Sequence, residues 1–216
     1  TEEVLAQARQ DRLIGSFVDV AEAVEEIGRI CNTYRAIDID LTVLVTHIGY
    51  EEDKELAAKL DPEWGVDVII GGHPHVVQPV DLLTSGNGKH KTVCVYSMGN
   101  VLSNQRRAYM GLKTGHTEDG LVFEMTFSKY SDGKVVFESV KSIPTWVHVY
   151  SSGGKKVYNI VPLSKNMDSK AEKLGLNKSA DGLSQAKASY ERTMAIVKTG
   201  TDKCNKYLKS KEVVVK

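Results

Sequence analysis

Three histidines in two short stretches are the residues best suited to chemistry. His47 closes "DLTVLVTH", and His73 and His75 flank Pro74 in "VDVIIGGHPHVVQP". Neutral imidazole is the commonest protein ligand for zinc, iron, manganese and similar ions, and a His-x-His pair in an extended turn sends both rings toward one region. Pro74 stiffens that turn and is expected to push His73 into an extended conformation. The glycines before it permit a sharp bend and a close approach of a ligand to the backbone. A lone histidine at a strand end is more often a hydrogen-bonded structural residue, but three at one edge favour a metal site. Asn100, in "YSMGN", ends another extended run, where it either lines the same mouth or serves as a turn asparagine.

The elements that must position these residues follow from periodicity. Asp19 and Glu22 form a D-x-x-E capping box, and Val20, Val24, Ile27, Cys31 and Tyr34 follow at helical spacing. "DLTVLVTH" is a continuous β-branched run, the pattern of a strand covered on both faces. "EEDKELAAKL" reads as a helix with its acids in the first turn, where they suit the helix dipole, and "VDVII" as a second buried strand. Strand, helix and strand make a βαβ unit, whose two parallel strands end on one edge of the sheet, so the three histidines can meet.

Beyond Pro79 the pattern turns antiparallel. A Gly-Asn-Gly turn at 86–88 separates two extended runs, and "GLVFEMTFSKYSDGKVVFESV" alternates about an "SDGK" turn as a hairpin. From about Ser164 the chain is polar and lysine-rich. Leu183, Ala186, Tyr190, Met194, Val197 and Cys204 then mark a C-terminal helix, with "KSKEVVVK" frayed or a short added strand.

Composition limits the function classes. The 216 residues are 41% hydrophobic and 26% charged, a globular composition, and 28 basic residues balance 28 acidic ones. Zero net charge gives no nucleic-acid surface or polybasic membrane patch. No apolar run approaches the roughly 20 residues that cross a bilayer, and "TEEVLAQARQDR" lacks the apolar region of a signal peptide. Cys31, Cys94 and Cys204 are widely spaced and read as core residues. Neither the Gly-rich dinucleotide fingerprint nor G-x-S-x-G is present, which excludes those two site types.

At the level of motifs, "THIGYEED" followed by "GVDVIIGGHPH" resembles the last two metal motifs of the calcineurin-like metallophosphoesterases. Residues 1–75 look most like the 5′-nucleotidase branch, where His-Ser-His is usual in place of His-Pro-His. The segments "GGHPHVVQPV", "VYSMGNVLSNQ", "TEDGLVFEMTF" and "IPTWV", within residues 71–163, look like the bacterial capsule-synthesis, or poly-γ-glutamate, branch. The resemblance implies an α/β fold, the C-terminal half of an αββα sandwich: a βαβ unit, antiparallel strands and a C-terminal helix. Residues 1–163 would be the partial metallophosphoesterase domain and 164–216 a helical extension. His47 and His73 would bind one zinc, manganese or iron ion and His75 a second, with a metal-bound hydroxide attacking the phosphoester. The "YEED" acids would either orient the rings or only charge the helix start, and Asn100 would contact substrate.

The family's earlier motifs, Asp-x-His, Gly-Asp-x-x-Asp and Gly-Asn-His-Glu/Asp, are absent from residues 1–46. Three neutral imidazoles bring no negative charge to hold two divalent ions at close range. One ion on three converging histidines is the most this chain is expected to hold alone. "TEEVLAQ" opens in mid-pattern without a methionine, so the expectation is part of a longer phosphoester hydrolase acting on nucleotide monophosphates, its N-terminal half missing. A non-catalytic capsule or poly-γ-glutamate assembly protein is the other reading, with the polymer as partner. Kinship with both branches implies an extracytoplasmic or cell-surface location.

Overall fold

A computed structural model describes residues 19–34 and 39–211. It is a mixed α/β fold with two sheets and a C-terminal helix, as the periodicity predicts.

Helix α1 (Val20–Tyr34) begins where the capping box predicts, with the Glu22 amide donating to Asp19 Oδ1 at 2.8 Å. Val20, Val24, Ile27 and Cys31 pack inward, while Tyr34, the last residue of the helix, is half exposed. Strand β1 (Val43–Val45) leads to α2 (Tyr50–Lys59), then β2 (Val68–Ile70), β3 (Val80–Thr84) and β4 (Lys91–Val95). These four strands form one sheet in the order β1-β2-β4-β3. β1, β2 and β4 are parallel, so their carboxyl ends share an edge, and β3 returns antiparallel beside β4 through the Gly-Asn-Gly turn.

β1 departs from expectation. Only Leu44 packs into the core, while Val43 and Val45 are 38% and 74% exposed. Among the described residues β1 pairs with β2 alone, and the second sheet's core cluster takes residues from β2, β3 and β4 but none from β1. An apolar run therefore signals a strand here without signalling cover on both faces.

A short helix α3 (Arg107–Met110) precedes β5 (Asp119–Lys129), β6 (Val135–Ser152) and β7 (Lys155–Pro162), an antiparallel meander with the β5–β6 hairpin at the predicted turn. Helix α4 (Gly182–Lys211) lies along β3 and β6. Val197, Cys204 and Leu208 join Val68, Val80, Leu82, Val93, Val95, Leu121 and Val140 in the core between the sheets. On the other face of the first sheet, Leu56 and Ala57 of α2 and Leu60 just after it cover Ile69, Cys94 and Tyr96. Cys94 and Cys204 are buried and Cys31 half-buried, all as free thiols, in keeping with core packing. The end of "KSKEVVVK" beyond Lys211 lies outside the described residues.

Candidate metal and phosphoester site

The parallel strands deliver every candidate residue to one edge: His47 two residues after β1, His73 and His75 after β2, and Asn100 five residues after β4. This is the edge outside the carboxyl ends of the strands, the side on which open α/β sheets bind ligands.

The two loops meet through their imidazoles. His73 Nδ1 lies 3.2 Å from His47 Nε2, with the rings edge to face at a centroid separation of 5.0 Å. Both side chains are exposed at the mouth. Two nitrogens bound to one ion at about 2.1 Å, subtending a tetrahedral or right angle, stand about 3.0–3.4 Å apart. The observed spacing therefore matches two adjacent ligands of a single ion as well as it matches a hydrogen bond.

His75 points elsewhere. Its Nδ1 is 2.9 Å from Asn100 Oδ1, and among the described residues no three His, Cys, Asp or Glu side chains are grouped so as to hold a metal. The structure thus brings together His47 with His73, and His75 with Asn100, rather than all three rings.

Backbone strain is concentrated here. Among the described residues, His73 (φ 130°) and His75 (φ 55°) are the two non-glycine positions with positive φ. The extended conformation expected of His73 from its proline neighbour is not adopted; its ring is turned back toward His47. Such conformations cost on the order of 1–3 kcal/mol each and persist where surrounding contacts over-determine them.

The glycines form the floor. A Cβ on Gly71 would stand 2.4 Å from both Asp53 Oδ2 and the Tyr96 carbonyl oxygen, so the position just past β2, packed between α2 and the end of β4, admits no side chain. A Cβ on Gly72 would meet His47 Nδ1 at 3.2 Å. Here the neighbour is an exposed ring that can yield. Gly72→Ala is expected to change stability by less than about 1 kcal/mol while displacing His47 and weakening divalent-metal affinity about tenfold, measured by thermal melting beside metal titration.

The acids of "YEED" divide. Glu51 and Glu52 stay at the start of α2, whereas Asp53 is fully buried and accepts from Thr46 Oγ1 at 2.5 Å. Its other oxygen has no hydrogen-bond partner among the described residues, and burial pushes its carboxyl above the usual range, opposed by the Thr46 bond. Asp53 ties α2 to the residue before His47, which places it behind the site. Sequence reasoning treated the three acids alike; the period that sets Asp53 with Leu56, Ala57 and Leu60 on the inner face of α2 was the available signal.

A second missed group frames Asn100. Its Nδ2 lies 3.1 Å from the His75 carbonyl oxygen, 3.0 Å from that of Thr117 and 3.3 Å from Gln105 Oε1. The 105–118 loop is itself fixed by Glu118, 3% exposed, which accepts from Arg106 Nη2 at 3.1 Å and the Arg107 amide at 3.0 Å. Next to it Asp119, 1% exposed, accepts from Ser189 Oγ and a forked Arg192 on α4.

Comparison with known proteins agrees with the motif resemblance. Residues 4–105 match the family model for bacterial capsule synthesis protein PGA_cap. That match takes in His47, the His-Pro-His turn and Asn100, runs upstream through the stretch that looks like 5′-nucleotidases, and stops before β5. The chain is 38% identical over 72 residues, 31% of its length, to the capsule biosynthesis protein CapA of Bacillus anthracis, covering 16% of that protein. It is 35% identical over 72 residues to the PGA biosynthesis protein CapA of Bacillus subtilis, covering 17% of it. An apyrase of Aedes aegypti is 38% identical over 58 residues, 27% of the chain and 10% of the apyrase. The chain thus spans less than a fifth of the length of each of these relatives.

Proposed function

We propose that this chain, kin over residues 4–105 to the capsule-synthesis proteins and more distantly to an apyrase, carries the C-terminal ligand half of a metal-dependent phosphoester hydrolase. The observation that carries this reading is the 3.2 Å approach of His47 Nε2 to His73 Nδ1 at the strand-end edge. The geometry and the all-nitrogen donor set fit zinc, manganese or iron, with His47 and His73 as ligands of one ion. A bound ion would supply Lewis acidity and an activated water. The chain's own residues supply placement: β1 and β2 hold the two rings at one edge, Gly71 lets the backbone pack against Asp53 and Tyr96, Gly72 leaves room for the His47 ring, and Asp53 anchors the loop through Thr46.

Residues 1–46 hold none of the family's earlier motifs, so carboxylate ligands for a second ion would have to come from outside this sequence. A nucleotide monophosphate is the substrate class implied by the likeness of residues 1–75 to the 5′-nucleotidase branch. The capsule relatives favour a cell-surface setting, and with it the alternative that the site serves capsule or poly-γ-glutamate assembly without hydrolysis.

Hydrolysis separates the two. The chain alone, with manganese or zinc, is expected to release phosphate from adenosine monophosphate at the background rate. A protein extended upstream to include the acidic motifs is expected to be active and to lose at least about a hundredfold in kcat when His73→Ala is introduced. An extended protein with no hydrolysis above background contradicts the hydrolase reading, and one that hydrolyses equally well with His73→Ala contradicts the assignment of His73 as a ligand.

A further inference from the structure

We infer that Asn100 is a positioning residue that fixes His75 in the tautomer with its proton on Nδ1, so that Nε2 presents its lone pair. The orientation of the Asn100 amide is set by its surroundings. One end faces the main-chain oxygens of His75 and Thr117, at 3.1 and 3.0 Å. Carbonyl oxygens only accept, so this end is the NH2 group, and flipping the amide would set oxygen against two carbonyls. The other end is therefore the oxygen, which lies 2.9 Å from His75 Nδ1 and also only accepts. Nδ1 must then carry the hydrogen. A neutral imidazole has one such hydrogen, and Nε2 is left bare.

The same amide also holds the backbone. His75 sits at φ 55°, a conformation that favours glycine, and Asn100 grips the residue from both sides, accepting from the ring and donating to the carbonyl. Thr117 and Gln105 hold Asn100 in turn, through Thr117 O at 3.0 Å and Gln105 Oε1 at 3.3 Å, with Thr117 Oγ1 donating to the Gln105 carbonyl. All of the amide's hydrogen-bonding capacity on the nitrogen side is committed within the protein, so substrate contact through Asn100 would have to break one of these bonds. The clamp explains why an asparagine stands in the loop after β4: a side chain is needed that accepts at one end and donates at the other.

The clamp rests on the proposed metal site only for what the bare nitrogen is for; the tautomer itself is a property of the metal-free chain. The test is long-range proton–nitrogen correlation NMR on the imidazoles of the metal-free protein, chelator-treated, at about pH 8.5, where histidine is neutral. His75 is expected to show the Nδ1–H tautomer in roughly tenfold excess or more, as one hydrogen bond's worth of preference gives. Asn100→Leu, which removes both ends of the grip, is expected to move His75 toward the Nε2–H form while the signals of His90 and His148 hold. Wild-type His75 found chiefly as Nε2–H overturns the inference, and that spectrum decides the matter even if Asn100→Leu does not fold. An unchanged Nδ1–H excess in a folded Asn100→Leu protein also overturns it. Failure of the metal-site reading would appear instead as absent zinc binding with the tautomer intact.

Discussion

Gly200→Ala should loosen helix α4 from the sheets and lower stability by more than about 3 kcal/mol, although alanine is the better helix former by about 1 kcal/mol. A Cβ at Gly200 would stand 1.5 Å from the Val80 carbonyl oxygen and 2.4 Å from its carbon. Those are main-chain atoms of β3, which cannot rotate aside as the end of a side chain would. The helix must lift at the point where Val197 and Cys204 enter the core with Val80, Leu82 and Val93. A protein of this size loses about 2–4 °C of melting temperature per kcal/mol, so a drop of roughly 6–12 °C is expected. Glu191→Ala, a solvent-facing change on the same helix, should leave the melt within a degree or two. Equal melting temperatures for Gly200→Ala and the parent would contradict the placement of α4 against β3.

The second large effect concerns the buried ion pair that joins α4 to the start of β5. Asp119 is 1% exposed and accepts from Arg192 Nε at 2.9 Å, Arg192 Nη2 at 2.7 Å and Ser189 Oγ at 2.6 Å. Arg192→Ala leaves that carboxylate desolvated without its counter-charge. The expected loss is about 3–5 kcal/mol, the range for breaking one side of a buried pair, and far more than the pair's net contribution. Arg192→Lys keeps the charge but not the fork, and should lose less than the alanine change. Denaturant unfolding measures both; a loss below about 1 kcal/mol for Arg192→Ala would show that water reaches Asp119. Because Asp119 follows Glu118 and Thr117, the frame around Asn100, the alanine variant is also expected to raise amide exchange in the 105–118 loop.

Much of this was legible in the residues. The capping box, the two apolar runs and the Gly-Asn-Gly and "SDGK" turns gave the order of elements, because each is a local signal with its own period or turn chemistry. Placing His47, His73 and His75 at one edge followed from the βαβ rule alone. Convergence of all three rings did not follow, since a sheet edge fixes where loops begin and not where side chains turn; His75 is diverted by Asn100, some 25 residues away in sequence. The cover of β1 was misjudged because an apolar run reports strand propensity, while exposure of Val43 and Val45 depends on which strands lie beside and above. Asp119 and Glu118 were invisible as buried charges, since their partners Arg192 and Arg106 are matched only by the tertiary fold.

The central claim is that His47 and His73 share one divalent ion. Zinc titration by calorimetry on the chelator-stripped protein, with His47→Ala and His73→Ala in parallel, tests it most directly. The account predicts one ion per chain bound through this pair, and at least a tenfold loss of affinity in each variant. Zinc binding of equal strength in the parent and both variants would contradict it, and would mean that the 3.2 Å contact is only a hydrogen bond between two loops.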